Sequence, residues 1–563
     1  MSQPAIRLPE RKPDGHKKPV VAGARRLAHI VSVSGAKAVA AIERVNSDSE
    51  RRTERVEIGT VTKIATPHSV VIGLVTAVST PMPDCPEHNT IELCELSLAG
   101  EIVLGHDDRL TFRRGVANMP AVGDPVYLAD GGDLRVIYLQ PGHAAIEIGT
   151  LYQAPDIPAR VLLDELLSKH FIVVGTTGCG KSSSLICLMQ SVMSEYRHAR
   201  MVILDIHNEY PHAFGDRAEL LDTNNLQLPF WLLNFQELTH ALASKEDTRD
   251  EEIEILSEAV LSAKRRYSDA QAGRLRRQSD NAGITVDTPT PFRLSDVVAY
   301  ITDHLGKLER VRSTLPYRRL INRIDAFIAD PRYSFMFGSL VIEDTMVDTL
   351  SRLFRVPSGG RPVTVLNLSA VPPDILDVVI SLLSRLAFDL AIWSHGRIPL
   401  LLVCEEAHRY APAGHDDVFM PTRLSLARIA KEGRKYGVSL GLITQRPSEL
   451  DQTILSQCST MIAMRLSTER DQAVIRANTH EGEFDLLEFL PLLGDREAIV
   501  LGQGVVMPMR IRFKNLALAD RAGTGHANFS SAWKDSEVTT ATLEEVVKHW
   551  RLSTKTKLGQ SGG

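Results

Sequence analysis

The chain has 563 residues, of which 44% are apolar and 24% charged, the balance of a soluble protein; at roughly 150 residues per domain it makes three or four domains. Lys plus Arg number 64 against 69 Asp plus Glu, a net charge of −5, which excludes a protein basic throughout but not a local basic surface for nucleic acid. No apolar run approaches the ~20 residues of a membrane span, residues 1–20 lack a signal-peptide core, and the six cysteines are scattered, so the expectation is a cytoplasmic multidomain enzyme without membrane contact.

Residues 1–27 carry Arg7, Arg11, Lys12, Lys17, Lys18, Arg25 and Arg26 among four prolines and read as a flexible basic arm. From 28 to 153, short β-branched runs recur between turns. They are His29–Val33, Ser69–Gly73, Pro125–Leu128, Leu134–Tyr138 and Ala145–Gly149, broken by Gly123-Asp124-Pro125 and Gly131-Gly132-Asp133. Short strands at this spacing predict a small N-terminal β-barrel.

From 154 the pattern becomes α/β. Apolar runs at Phe171–Val174, Met201–Leu204, Val363–Leu366, Leu400–Val403 and Leu440–Ile443 alternate with helical stretches, which predicts a mostly parallel sheet covered by helices. Residues 236–350 interrupt it. Ile253, Leu256, Val260 and Ala263, then Val297, Ile301 and Leu305, keep the helical period and predict an inserted helical subdomain, with Arg265, Arg266, Arg274, Arg276 and Arg277 on a solvated face. The core is expected as two parts, 154–235 and 351–515. A C-terminal extension, 516–563, holds a short helix opened by the box Thr542-x-x-Glu545, with Leu543, Val546, Val547 and Trp550 on one stripe.

Gly175-Thr176-Thr177-Gly178-Cys179-Gly180-Lys181-Ser182 fits G-x-x-x-x-G-K-[ST] between an apolar run and an amphipathic stretch that starts at Ser183. Backbone N–H groups of such a loop converge on phosphates, and the helix N-terminus adds positive potential. ATP and Mg²⁺ are the expected ligands: residues 175–183 bind the nucleotide, Lys181 reaches the β- and γ-phosphates, and Ser182 holds the metal. Cys179 is a spacer whose thiol this electropositive loop would acidify.

Hydrolysis needs a carboxylate near Mg²⁺ and a group that orients water. Asp205 ends one strand, but Glu405-Glu406 after Leu400–Cys404 fits better, because an apolar strand carries both to the ligand-binding edge of the sheet. Glu405 is assigned to Mg²⁺ and Glu406 to the water. Asp205, His207 and Glu209 cluster after their strand and would support the site from behind. Gln445, after the strand Val438–Thr444, is placed to sense the γ-phosphate. Arg434, before that strand, is a candidate finger for a neighbouring subunit's nucleotide, with a basic helix terminus as the alternative.

Together these motifs resemble the HerA ATPases of the HerA/FtsK group of P-loop motors. The resemblance rests on Gly175–Ser182, Asp205-Ile-His-Asn-Glu-Tyr210, Leu226-Gln-Leu-Pro-Phe-Trp-Leu-Leu-Asn-Phe-Gln-Glu-Leu238, Glu405-Glu-Ala-His408, Lys431-Glu-Gly-Arg-Lys435 and Thr444-Gln-Arg-Pro-Ser448, across most of 28–515. It implies a RecA-like core, an N-terminal HAS-type barrel, a hexameric ring with nucleotide at subunit interfaces, and ATP-driven movement on double-stranded DNA. It matches Lys181 and Ser182 to the P-loop pair, Glu406 to the catalytic glutamate, Gln445 to the sensor and Arg434 to the arginine of the E-G-R-K phrase; Lys431 stands where many members carry Arg. It also implies a partner, either a NurA-like nuclease in DNA end processing or a sirtuin-like or nuclease-like effector in antiphage defence. The alternative expectation is an ATP-regulated hexameric platform that organises such an effector without long-range translocation.

Overall fold

The computed structural model describes residues 26–42, 56–80, 92–105, 109–140, 142–244, 247–272, 283–307, 314–338, 342–414, 420–479, 484–516 and 540–553. Most of the basic arm, Cys85 and Arg274, Arg276 and Arg277 lie outside these residues.

Seven strands build the N-terminal unit: β1 (Ala28–Ser34), β2 (Lys37–Ile42), β3 (Val61–Ala65), β4 (Val70–Ser79), β5 (Glu92–Leu104), β6 (Leu110–Arg114) and β7 (Pro125–Leu128). Six of them close into a ring in the order β1-β7-β3-β4-β5-β2, because β2 pairs with both β1 and β5. The 13-residue β5 makes closure possible: Glu92–Ser97 pairs with β2 and Gly100–Leu104 with β6. The chain crowds at Gly100, where a Cβ would stand 2.3 Å from the Arg113 carbonyl oxygen, so only glycine fits. Small side chains fill the barrel, with Ala28, Ala38 and Ala40 beside Ile30, Ile64, Val71, Val75 and Leu96.

Two runs expected in the barrel go elsewhere. Residues 134–138 are helical, within α1 (Gly131–Tyr138), because Asp130 caps it: its carboxylate accepts from the Gly132 and Asp133 N–H groups, and Asp133 caps the Asp130 N–H in return. Lys63 from β3 pairs with both aspartates, at 3.0 and 2.6 Å, and ties α1 to the barrel. Residues 145–151 form β8, which leaves the barrel for the core sheet, since Ile511 and Phe513 give it a paired edge that buries Ile146 and Ile148.

The core sheet has eleven strands. Its remaining members are β9 (Pro158–Leu162), β10 (Phe171–Val174), β11 (Met201–Asp205), β12 (Ala218–Leu221), β13 (Val363–Asn367), β14 (Leu400–Cys404), β15 (Val438–Thr444), β16 (Thr460–Ala463), β17 (Glu497–Gly502) and β18 (Met509–Phe513). The order is β12-β13-β11-β14-β15-β10-β16-β17-β18-β8-β9. The strands from β12 to β16 run parallel, and the rest continue antiparallel. Most residues of the central strands are fully buried, as expected for a sheet covered on both faces. The covering helices include α2 (Lys181–Glu195), α7 (Pro373–Trp393) and α8 (Met420–Tyr436).

Between β12 and β13 stand α3 (Phe235–Leu242), α4 (Arg249–Ala272), α5 (Leu294–Lys307) and α6 (Leu315–Ala329), the inserted helices. Phe230, Phe292, Phe327 and Phe337 stack edge to face and face to face beneath them. Lys264 lies buried among these helices and donates to the Val286 and Thr288 carbonyls at 2.6 and 2.7 Å. Glu237 of α3 is locked to α7 by Arg385, at 3.0 Å, and by Ser381. The C-terminal helix α9 (Thr540–Ser553) starts before Thr542, so that residue is not its N-cap; Leu543 and Val546 are exposed. Among the described residues no helix is long and apolar enough to cross a membrane.

Candidate nucleotide site

Parallel pairing assembles the site at one sheet edge. Val174 lies opposite Thr444, Cys404 opposite Leu442, and Leu204 opposite Cys404, so β10, β15, β14 and β11 all end on that edge. The P-loop, Gln445, the Glu405-Glu406 pair and the Asp205 turn follow these ends. Open parallel sheets bind ligands at this edge.

The loop geometry follows from its glycines. Gly178 and Gly180 have φ of +80° and +104°, in the left-handed region that a side chain disfavours. They turn the chain directly into α2, whose N-terminal N–H groups then face the loop. Lys181 is buried, and its Nζ donates to the Thr176 carbonyl at 3.2 Å. Thr177 Oγ1 donates to the Gln445 amide oxygen, which joins the P-loop to the end of β15.

Asp205 organises the neighbouring turn. Its buried carboxylate accepts from the N–H groups of His207, Glu209 and Tyr210 at 3.2, 3.1 and 3.0 Å. That bends the chain, with Asn208 at φ +61°, and brings Glu209 to accept a hydrogen bond from Ser182 Oγ. His207 meets Arg409 at 3.3 Å. Asp205 thus holds the turn together, and Glu209 reaches the P-loop serine itself.

Glu405 and Glu406 are both buried. Tyr410 donates its OH to the Glu405 carbonyl at 2.7 Å and fixes the turn. Burial, followed by the neighbouring Asp205 and Glu209 carboxylates, pushes the Glu405 carboxyl up to about 10. Its Oε2 has no hydrogen-bond partner. A buried carboxyl with one unpartnered oxygen, crowded by two further carboxylates, fits a site that a cation would complete. Among the described residues no three His, Cys, Asp or Glu side chains converge to hold a metal unaided. Mg²⁺ commonly takes one or two protein ligands and completes its shell with phosphate and water. Ser182 and Glu405 are the residues that would hold it, and the ion would neutralise charge developing on the phosphates.

Glu406 sits at φ +47°, ψ +45°, an unusual conformation for a non-glycine residue. The chain reverses there and presents its carboxyl beside β15. Burial raises its pKa, and Lys181 and His207 oppose that rise. His408 Nδ1 stands 3.2 Å from Glu406 Oε2 and 3.0 Å from Thr444 Oγ1. Burial lowers the His408 pKa, which favours the neutral imidazole. The expected acidification of Cys179 is not found. Burial against Met464 raises its thiol pKa and outweighs the Lys181 charge.

Arg434 is exposed near the C-terminal end of α8, just before β15 begins. The seven residues of β15 separate it from Gln445, a distance of roughly 20 Å at strand rise. The structure therefore does not bring Arg434 to its own subunit's site. Glu209, which accepts from Ser182, and His408, beside Glu406, make contacts that sequence reasoning did not assign. The E-E-A-H phrase placed His408 near the catalytic pair, but its contact with Thr444 is tertiary.

Residues 146–387 match the family model described as the central domain of helicase HerA. The DNA double-strand break repair helicase HerA of Pyrococcus furiosus is 26% identical over 450 residues, covering 72% of this chain and 75% of the relative. That of Saccharolobus solfataricus is 28% identical over 402 residues, covering 70% and 73%. The structure of VirB4 of Thermoanaerobacter pseudethanolicus aligns at a TM-score of 0.48 and 15% identity over 68% of this chain and 98% of that one. With a P-loop, a buried carboxylate pair and Gln445 on one parallel edge, this chain is a P-loop ATPase similar to the HerA helicases, and its residues 146–387 match the model of their central domain.

Proposed function

We propose that the protein is a ring-forming motor that hydrolyses ATP with Mg²⁺ and moves on double-stranded DNA. The convergence of Lys181, Ser182, Glu406 and Gln445 at the ends of adjacent parallel strands carries the reading. The polymer substrate comes from the relatives, which are named DNA double-strand break repair helicases.

In this mechanism the P-loop amides and Lys181 hold the phosphates, and Ser182 and Glu405 hold the metal. Glu406 accepts a proton from the attacking water, which lies in line with the leaving phosphate. The metal supplies charge neutralisation when bound. Gln445 reports the γ-phosphate to β15 through its contact with Thr177. Arg434, remote from its own site, serves the neighbouring subunit in a hexamer.

The partner is a NurA-like nuclease or a sirtuin-like effector that docks on the barrel. Support for this placement is the exposure of Met119 and Val122, 54% and 71%, in the loop before β7. An ATP-regulated platform is the competing reading. ATP-dependent displacement of a third strand from a DNA triplex distinguishes the two: the motor displaces it and the Glu406→Gln variant does not. Hydrolysis without displacement leaves the platform.

A further inference from the structure

His170 stands directly before β10, the strand that runs into the P-loop, and is buried. Its backbone adopts φ +58°, the left-handed region that a side chain disfavours. The ladder between β10 and β15 begins one residue later, with Phe171 opposite Gly441, and the imidazole adds a rung of its own. Its Nδ1 accepts from the Leu440 N–H of β15 at 2.9 Å. Its Nε2 lies 3.0 Å from the Ala430 carbonyl oxygen of α8.

This pattern fixes the state of the ring. A ring nitrogen that accepts carries no proton, so the proton of the neutral imidazole is on Nε2 and is donated to Ala430. Burial lowers the His170 pKa and outweighs the Ala430 bond, which favours the neutral form. Loss of either bond would leave a buried polar group unpaired.

The Ala430 carbonyl belongs to the closing turns of α8. By helix geometry it also receives the N–H of residue 434, four positions on. His170 therefore grips the turn that carries Arg434. Gly433 seats the same turn. A Cβ there would stand 2.6 Å from the Val438 carbonyl oxygen and 3.5 Å from His170 Cε1, so only glycine packs this closely. One side chain thus meets the P-loop strand, the strand that ends before Gln445, and the turn of Arg434. Nothing in the handling of phosphate, metal or water uses it.

We propose that His170 is a positioning residue, which fixes the Arg434 turn against the P-loop and Gln445 strands and so sets where the arginine meets the neighbouring subunit's nucleotide. The inference rests on the reading of Arg434 as a residue for the neighbouring subunit, and adds what places it.

Two substitutions separate the two bonds. His170→Asn puts an amide oxygen near the Nδ1 position and tolerates the left-handed backbone, so it keeps the Leu440 bond and loses the Ala430 bond. ATP affinity stays within about twofold of wild type while kcat falls roughly 10–100-fold, the cost of a displaced group. His170→Gln carries an amide N–H toward the Nε2 position and keeps the Ala430 bond. It retains kcat within about threefold and melts at a lower temperature, because the Leu440 N–H is left unpaired.

The test is hydrolysis by mixed rings of full-length chains. A His170→Asn chain has an intact P-loop and a misplaced arginine, and a Lys181→Ala chain has the reverse. Mixing them raises hydrolysis above that of either alone. Arg434→Ala mixed with Lys181→Ala is the control. Recovery in the control without recovery for His170→Asn overturns the proposal, because the defect then lies in the chain's own site. So does a His170→Asn chain that keeps wild-type kcat or loses ATP affinity in parallel with kcat, and so does a His170→Gln chain as slow as His170→Asn. No recovery in the control overturns the reading of Arg434, and the inference with it.

Discussion

His408 Nδ1 lies between the Glu406 carboxylate, at 3.2 Å, and the Thr444 hydroxyl, at 3.0 Å. Thr444 precedes Gln445, and Gln445 accepts from Thr177 of the P-loop. A chain of polar contacts therefore runs from the phosphate loop, through the end of β15, to the Glu406 carboxyl. His408 bonds Thr444 and stands beside Glu406 without reaching the P-loop, so its expected role is to position that carboxyl.

Replacing His408 with Ala is expected to lower kcat about tenfold and leave the KM for ATP nearly unchanged, since the nucleotide keeps its contacts. His408→Asn, which keeps a polar atom near the same place, recovers part of the loss. Steady-state kinetics of both variants provide the check; a KM effect larger than the kcat effect contradicts the positioning role.

Glu406→Gln and Lys181→Ala are expected to fail in different ways. The first removes the base and lowers kcat by about 10²–10⁴-fold while nucleotide still binds. The second removes the cation at the phosphates and weakens binding itself. Calorimetric titration with ATP separates them, and equal loss of binding in the two would contradict the assignment of Glu406.

Glu405 makes stability depend on pH. Its folded pKa, about 10, lies well above the ordinary carboxyl value of 4.5 that the unfolded chain would have. Its favourable contribution is therefore complete below the unfolded value and is lost as pH rises toward the folded one. Glu405→Gln removes that penalty. In metal-free buffer the variant should melt above wild type at pH 7, by roughly 2–4 °C per kcal/mol for a domain of 150–250 residues, with a gap that widens toward pH 10. Thermal melts across pH provide the check; a gap that narrows with rising pH contradicts the buried, proton-holding state.

Arg434 is exposed and lies a strand's length from its own site, so its loss should be complemented between subunits. Mixed rings of Arg434→Ala and Lys181→Ala chains contain interfaces in which an intact P-loop meets an intact arginine. Their hydrolysis should exceed that of either variant alone. No recovery on mixing contradicts action across the interface.

The P-loop and the Glu405-Glu406 pair were legible because each follows an apolar strand at a fixed spacing, and parallel pairing then does the rest. The barrel was legible from its short strands and turns, but its limits were not. Residues 134–138 and 145–151 both alternate like strands. Asp130 converts the first into a helix, and the free edge of β18 captures the second. Tertiary contacts decided both.

Electrostatics misled at Cys179, because the loop's positive potential is visible in sequence and the burial that outweighs it is not. His170 carried no signal at all. Only the folded chain shows its left-handed backbone and the two elements that its ring joins.

The most direct test of the account is the ATP hydrolysis rate of the purified chain with and without linear double-stranded DNA, across a salt series, with Lys181→Ala as the blank. A DNA motor predicts stimulation by duplex that fades as salt rises, because phosphate contacts release counterions. Hydrolysis that is indifferent to DNA at every salt concentration would contradict it.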